Sequence, residues 1–189
     1  MNHISNKALL IIDIQNDYFE HGANSLAGAD KACRNAMLLL ENFRNEGLPV
    51  VHIQHIATRA DATFFLPNTK GAEIHANLTP QSGEKVIVKH FPNSFRETEL
   101  LNHLKTLGVT DLVICGMMTH MCVDATTRAA KDFGFSCTLV ADACASKNLE
   151  FDGCKVDAAE VHYSFLAALS YFYAKVVTLQ QYLPDRAKA

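Results

Sequence analysis

At 189 residues the chain has the length of one ordinary domain and can bury a substantial core. A composition of 49% hydrophobic and 20% charged residues excludes a disordered chain. The formal charge of −3 offers no basic surface for nucleic acid or an anionic membrane, so neither is expected as a partner.

Residues 1–7 run directly into a short apolar segment ending near Asp13. It is too short to span a membrane, and no small-residue cleavage site follows, so a cytoplasmic protein is expected. Residues 8–14 read as a first buried strand. The spacing predicts a helix over 30–46, with Cys33, Met37, Leu40 and Arg44 near one stripe and Gly47 ending it. A second strand is expected over 49–53. Residues 58–84 then form a long connection without periodicity, and long connections in compact domains are usually functional or disordered. Phe64, Phe65, Leu66, Ile74 and Leu78 are too apolar for a disordered segment, which points to a packed lid; a plain surface loop is the alternative.

The third strand is expected over 85–89, followed by a helix over 97–107 with Gly108 as its cap. A fourth strand over 111–115 leads to a helix over 119–133 that Gly134 ends. A fifth strand follows over 135–140, then a long Ala-rich helix over 154–173, and a sixth strand around 175–178. Apolar strands alternating with helices argue for a three-layer α/β/α sandwich around a six-stranded, mainly parallel, Rossmann-like sheet. With no repeat or linker, residues 1–189 read as a single domain. In such folds ligands sit at the carboxyl ends of the strands, near the topological switch point.

Three residues stand at such ends. Asp13 follows four aliphatic residues, where burial would raise its pKa and suit it to general base work; a turn-capping Asp is the plainer alternative. Lys89 ends a Val-Ile-Val run and could hold a carboxylate and a thiolate together, or simply be a solvated strand end. Cys122 follows Gly116, with Thr119 expected as N-cap, which puts it at the third helical position. There unpaired N–H groups and the positive helix end favour a thiolate and could bind an oxyanion. Alternatively Cys122, Thr126, Ala129 and Phe133 form one stripe that faces the sheet. Six cysteines without a CxxC pair read as reduced thiols, most of them core residues.

Together these segments resemble the isochorismatase-like superfamily of cysteine hydrolases, which includes nicotinamidases, N-carbamoylsarcosine amidases and ureido-compound hydrolases. The resemblance rests on Asp13-Ile14-Gln15-Asn16-Asp17-Tyr18, on Lys89 with Ser94-Phe95, and on Gly116-Met117-Met118-Thr119-His120-Met121-Cys122-Val123, in that order over nearly the whole chain. It implies a triad of Asp13, Lys89 and Cys122. It also implies a cis Met117–Met118 peptide, with the backbone N–H groups of Met118 and Cys122 as oxyanion hole.

The metal-binding Asp-x-His pair of nicotinamidases is missing after the second strand, where the chain reads Gln54-His55-Ile56-Ala57. His52, His55, His75, His90 and His120 show no ligand spacing, so neither metal nor cofactor is expected. His120 resembles the isochorismatases proper, but those have Gly where this chain has Cys122. Retaining the thiol ranks attack on an amide, carbamoyl or ureido carbon first and vinyl ether hydrolysis second. A non-catalytic ligand-binding or thiol-sensing protein is the rival from another class. Tyr18, His55, Phe64, His90 and His120 are expected to line the site around a small-molecule substrate. Apolar residues around most of the last long helix predict a homo-oligomer, a dimer or higher, unless the lid or the segment after Leu183 covers the second face.

Overall fold

The run Lys7–Ile12 (β1) is buried from its second residue onward and lies inside the sheet, paired on both sides. The computed structural model describes residues 6–184. Around β1 the strands Val50–His55 (β2), Lys85–Lys89 (β3), Asp111–Met117 (β4), Ser136–Ala145 (β5) and Lys175–Val177 (β8) form a six-stranded sheet in the order β3-β2-β1-β4-β5-β8. Every pairing in it is parallel, which sharpens the mainly parallel expectation. The strand order turns between β1 and β4, so the switch point falls between the residues that follow these two strands.

Helices cover both faces. Ala29–Asn45 (α1) buries Ala32, Cys33, Ala36, Leu39, Leu40 and Phe43, the spacing of one helical face, and packs with Leu9, Ile11 and Val113. It closes as the sequence suggests. Gly47, at φ 63°, donates its N–H to Arg44, and Leu48 donates to Phe43, a pair of bonds that satisfies the last carbonyls. On the other face Leu100–Thr106 (α2), Asp124–Asp132 (α3) and Ala158–Phe172 (α4) pack with Leu10, Ile12, Ile114 and Leu139. Leu179–Tyr182 (α5) completes the α1 side.

Five expectations shift, and the first is that the fifth strand, expected over 135–140, runs on to Ala145. The helix expected over 97–107 is only Leu100–Thr106, because Glu97 takes a left-handed φ of 56° that breaks the helix before it. The helix expected over 119–133 opens with a π-helical turn, Thr119–Val123, before α3. Thr119 is not its cap: the extended residue before the turn is Met118, and the Thr119 hydroxyl donates to Ala145 O at 3.1 Å. Cys122 is therefore the fourth residue of the turn. The helix expected from residue 154 starts at Ala158. Cys154–Val156 (β7) instead pairs antiparallel with Leu149–Phe151 (β6), and an Asp157–Glu160 capping box then opens α4.

The long connection is packed, as expected. It contains short turns at Lys70–Ala72 and Ala76–Leu78 and buries Phe65, Ala72 and Leu78. Glu84 fastens its end: Arg44 donates to it at 2.6 and 2.8 Å, and it faces His52 Nε2 at 2.9 Å. Burial pushes the Glu84 carboxyl up, but Arg44 and the Gln81 N–H outweigh it and hold the group down at about 2.

Candidate active site

Asp13, His55, Lys89 and Cys122 come from the ends of four neighbouring strands. Asp13 follows β1, His55 ends β2, Lys89 ends β3, and Cys122 lies in the π turn after β4. Asp13 sits at φ 51°, in the left-handed region, a sparsely occupied conformation that costs on the order of 1–2 kcal/mol for a non-glycine residue. Its N–H donates to Ile53 O at 3.1 Å and its carbonyl accepts from Gln15 N at 3.0 Å, which holds it there.

Lys89 Nζ lies 2.7 Å from Asp13 Oδ2, and both side chains are fully buried. The contact is an ion pair by distance, yet neither Asp13 oxygen has an aligned hydrogen bond among the described residues. A buried carboxylate with spare acceptor capacity calls for an explanation, and proton abstraction is one. One donor atom each of Asp13, His55 and Cys122 lies within 4.8 Å of the others. Burial pushes the Cys122 thiol up and Asp13 pushes it the same way, while Lys89 opposes them. Burial pulls the Lys89 ammonium down, but the facing Asp13 and Cys122 outweigh it and its net shift is upward. The free site thus holds a protonated thiol beside a carboxylate–ammonium pair.

The trio of Asp13, His55 and Cys122 could geometrically embrace a metal ion. Lys89 makes it a poor cation site: its ammonium lies 2.7 Å from Asp13 and 3.0 Å from His55, so a fixed positive charge already serves those ligands.

The π turn shapes the other wall. The Met118 carbonyl accepts from Met121 and, five residues on, from Val123, at 3.1 and 3.2 Å, and passes over Cys122. No bond from the Met118 N–H is found among the described residues. The Met117–Met118 peptide is cis. Thr119 ties the turn to Ala145 at the end of β5 and meets His162 Nδ1 of α4 at 2.9 Å, while His120 Nδ1 meets Ser146 Oγ at 2.6 Å.

The expected lining residues fall into two groups. Tyr18 is buried with its ring 4.7 Å from Phe65 and 5.9 Å from Phe64. Burial pushes its phenol well up, and the nearby Cys122 and Asp13 add to the shift. His55 also borders the triad directly. His90 is exposed and donates Nδ1–H to Ile56 O at 2.8 Å, and His120 is committed to Ser146. Neither is among the groups that meet Asp13, Lys89 or Cys122. A cavity of about 240 Å³ opens beside the site over the end of β5, lined by Ser146, Ala158 and His162 but by none of the triad.

Sequence reasoning gave no separate role to Gln15, Asp17, Ser146 and His162, and took Phe65 only as a packing residue of the long connection. Gln15 accepts the His55 N–H at 2.7 Å and donates to His55 O at 2.9 Å and Ala72 O at 2.7 Å. Asp17 accepts the Phe65 N–H at 2.6 Å and the Ala23 N–H at 3.3 Å. Polar residues two and four after Asp13 were the available signal.

Fold and site define a three-layer α/β/α protein with a buried thiol, carboxylate and ammonium at the carboxyl edge of a parallel sheet. The Isochorismatase domain family model matches residues 7–181. The chain belongs to the isochorismatase family and is a hydrolase of that superfamily. It is 52% identical over 176 residues to the isochorismatase family protein YddQ of Bacillus subtilis, covering 93% of this chain and 98% of that one. The crystal structure of a putative isochorismatase hydrolase from Oleispira antarctica superposes with a TM-score of 0.92 at 46% identity, covering 97% of this chain and 99% of that one. Streptothricin hydrolase of Streptomyces noursei is 34% identical over 143 residues, 76% of this chain and 51% of that protein. Among the described residues no helix is long and apolar enough to cross a membrane.

Proposed function

We propose that the chain is a cytoplasmic cysteine hydrolase that cleaves a small non-peptide amide, carbamoyl or ureido C–N bond through a Cys122 thioester. The observation that carries this reading is the buried Asp13–Lys89 ion pair, with the Cys122 sulfur within 4.8 Å of an Asp13 oxygen. Asp13 takes the Cys122 proton as sulfur attacks the carbonyl carbon, and Lys89 stabilises the thiolate as it forms. The Met118 and Cys122 N–H groups receive the oxyanion. Asp13 returns the proton to the leaving nitrogen, and the C–N bond breaks. It then deprotonates the water that hydrolyses the thioester, and the thiol is restored. Nucleophile and protons all come from side chains and water, so the cycle calls on no cofactor. Tyr18, His55 and Phe64 line the substrate side, with His90 and His120 farther out on Ile56 O and Ser146 Oγ, and residues 1–189 act as one domain. A low-pKa thiol sensor is disfavoured because burial keeps Cys122 protonated.

The test is a panel of small amides, carbamoyl and ureido compounds scored for ammonia or acid release. Cys122→Ala should lower kcat on the substrate found by roughly 10⁴-fold or more. A variant that keeps wild-type turnover would end the proposal.

We further propose a homo-oligomer built on α4. Tyr163, Tyr171 and Phe172 are 69%, 93% and 64% exposed, and the α4 residues 163–172 include no charged side chain. Neither the long connection nor α5 lies over them, and residues 185–189, the other candidate cover, lie outside the described residues. Sedimentation should show a dimer or larger at micromolar concentration; a lone 20.8 kDa species would refute this.

A further inference from the structure

Lys89 carries three N–H bonds and no acceptor. Two are directed at His55 Nδ1 at 3.0 Å and Phe91 O at 3.1 Å, while Asp13 Oδ2 pairs with the ammonium by charge at 2.7 Å. A lysine can only donate, so the His55 nitrogen that meets it must accept, and the ring proton has to be on Nε2. We propose that His55 is a positioning residue of this site: its Nδ1 anchors the Lys89 ammonium against Asp13, and its Nε2–H is left as a fixed donor to the substrate. The inference rests on the hydrolase reading only for what the donor meets.

The ring is held for this task from several directions. Gln15 clasps both the N–H and the C=O of His55, and the Phe65 ring lies 5.8 Å from the imidazole. No side chain among the described residues bonds Nε2, and the side chain is 17% exposed, so one edge remains open. Asp13 Oδ2 is 3.9 Å from Nδ1, a neighbour that would favour a charged ring. Burial opposes it most strongly, Lys89 adds to that, and together they hold the imidazole down at about 4, with His90 a lesser contributor. At pH 7 His55 is therefore neutral and does not compete with Asp13 for the thiol proton.

The substrate must then present an acceptor atom to His55, so an analogue with a methyl group there should bind less well.

Long-range proton–nitrogen NMR of the wild-type protein reads the ring directly and needs no substrate. Nδ1 should be bare and Nε2 protonated at pH 7; an imidazolium or an Nδ1–H ring would overturn the proposal. A second arm compares His55→Asn, which keeps an acceptor near the place of Nδ1, with His55→Leu, which has none. Cys122 alkylation by iodoacetamide at pH 8, followed by mass spectrometry, should slow about tenfold in the leucine variant, as for one unit of thiol pKa, and stay within about threefold of wild type in the asparagine variant. Equal rates in the two variants would refute the anchoring role. Neither readout involves turnover, so each can fail while the hydrolase reading stands, and the reverse.

Discussion

Asp13→Asn removes one charge of a pair that has no access to water. At 2.7 Å and an effective dielectric of about 20, the attraction lost is about 6 kcal/mol, offset in the intact pair by the cost of burying both ions. What the variant retains is a buried ammonium with no counter-charge, and breaking a buried pair in this way costs about 3–5 kcal/mol. For a chain of this size that is a drop in Tm of about 6–20 °C. The pH dependence follows from Lys89. In the wild type its folded pKa is raised, so its stabilisation is complete below the unfolded value and fades as pH rises through the folded one. Without Asp13 the burial contribution dominates and the folded pKa falls below the unfolded value, so the variant gains stability as pH rises. Urea melts should therefore show the gap between variant and wild type narrowing from pH 7 to pH 10. Asp13→Asn with Lys89→Met should recover most of the loss, because neither charge then remains unpaired. A gap that stays constant with pH, together with a double variant no better than the single one, would refute the account.

Asp17→Ala deletes a charge-assisted bond to the Phe65 N–H, and should cost about 1.5–3 kcal/mol and speed proteolysis within residues 58–84. Unchanged cleavage there would show that Asp17 does not hold the loop. Gly116→Ala puts a methyl group 2.1 Å from Ile12 O at a φ of 139°, so β1 and β4 must separate; a loss of at least about 3 kcal/mol is expected in chemical denaturation. A melt within about 2 °C of wild type would mean the strands give way more easily than this geometry implies.

The sheet was legible because buried parallel strands write themselves as aliphatic runs, and because Gly47, Gly108 and Gly134 mark helix ends where they were expected. Asp13 and Lys89 were legible as polar residues that end such runs, and Cys122 by its place near the start of a helix after Gly116. The β6–β7 hairpin was not: Leu149, Glu150, Phe151 and Cys154 are all exposed, so no buried face gives their stretch a period of two. The π turn was equally silent, since one extra residue in a helical turn leaves no mark on a pattern three or four residues long. Its register depends on Thr119 bonding to Ala145 and His162, which lie 26 and 43 residues away. No local reading reaches that far.

The segment from Asp13 to Tyr18 shows how chemistry and architecture share one short motif. Asp13 faces Lys89 and Cys122, while Gln15, two residues on, turns its amide to the end of β2 and fixes His55 by both backbone groups. Asp17 reaches across to Phe65, whose ring packs on Tyr18 and stands beside His55. The carboxylate of the ion pair and the residues that set its surroundings thus alternate within one five-residue stretch, and the left-handed φ of Asp13 turns the chain as it leaves β1. Conservative changes at Gln15 or Asp17 would then alter the site without touching a reacting atom. They displace His55 or Phe65 first, and through His55 the one ammonium that Asp13 depends on.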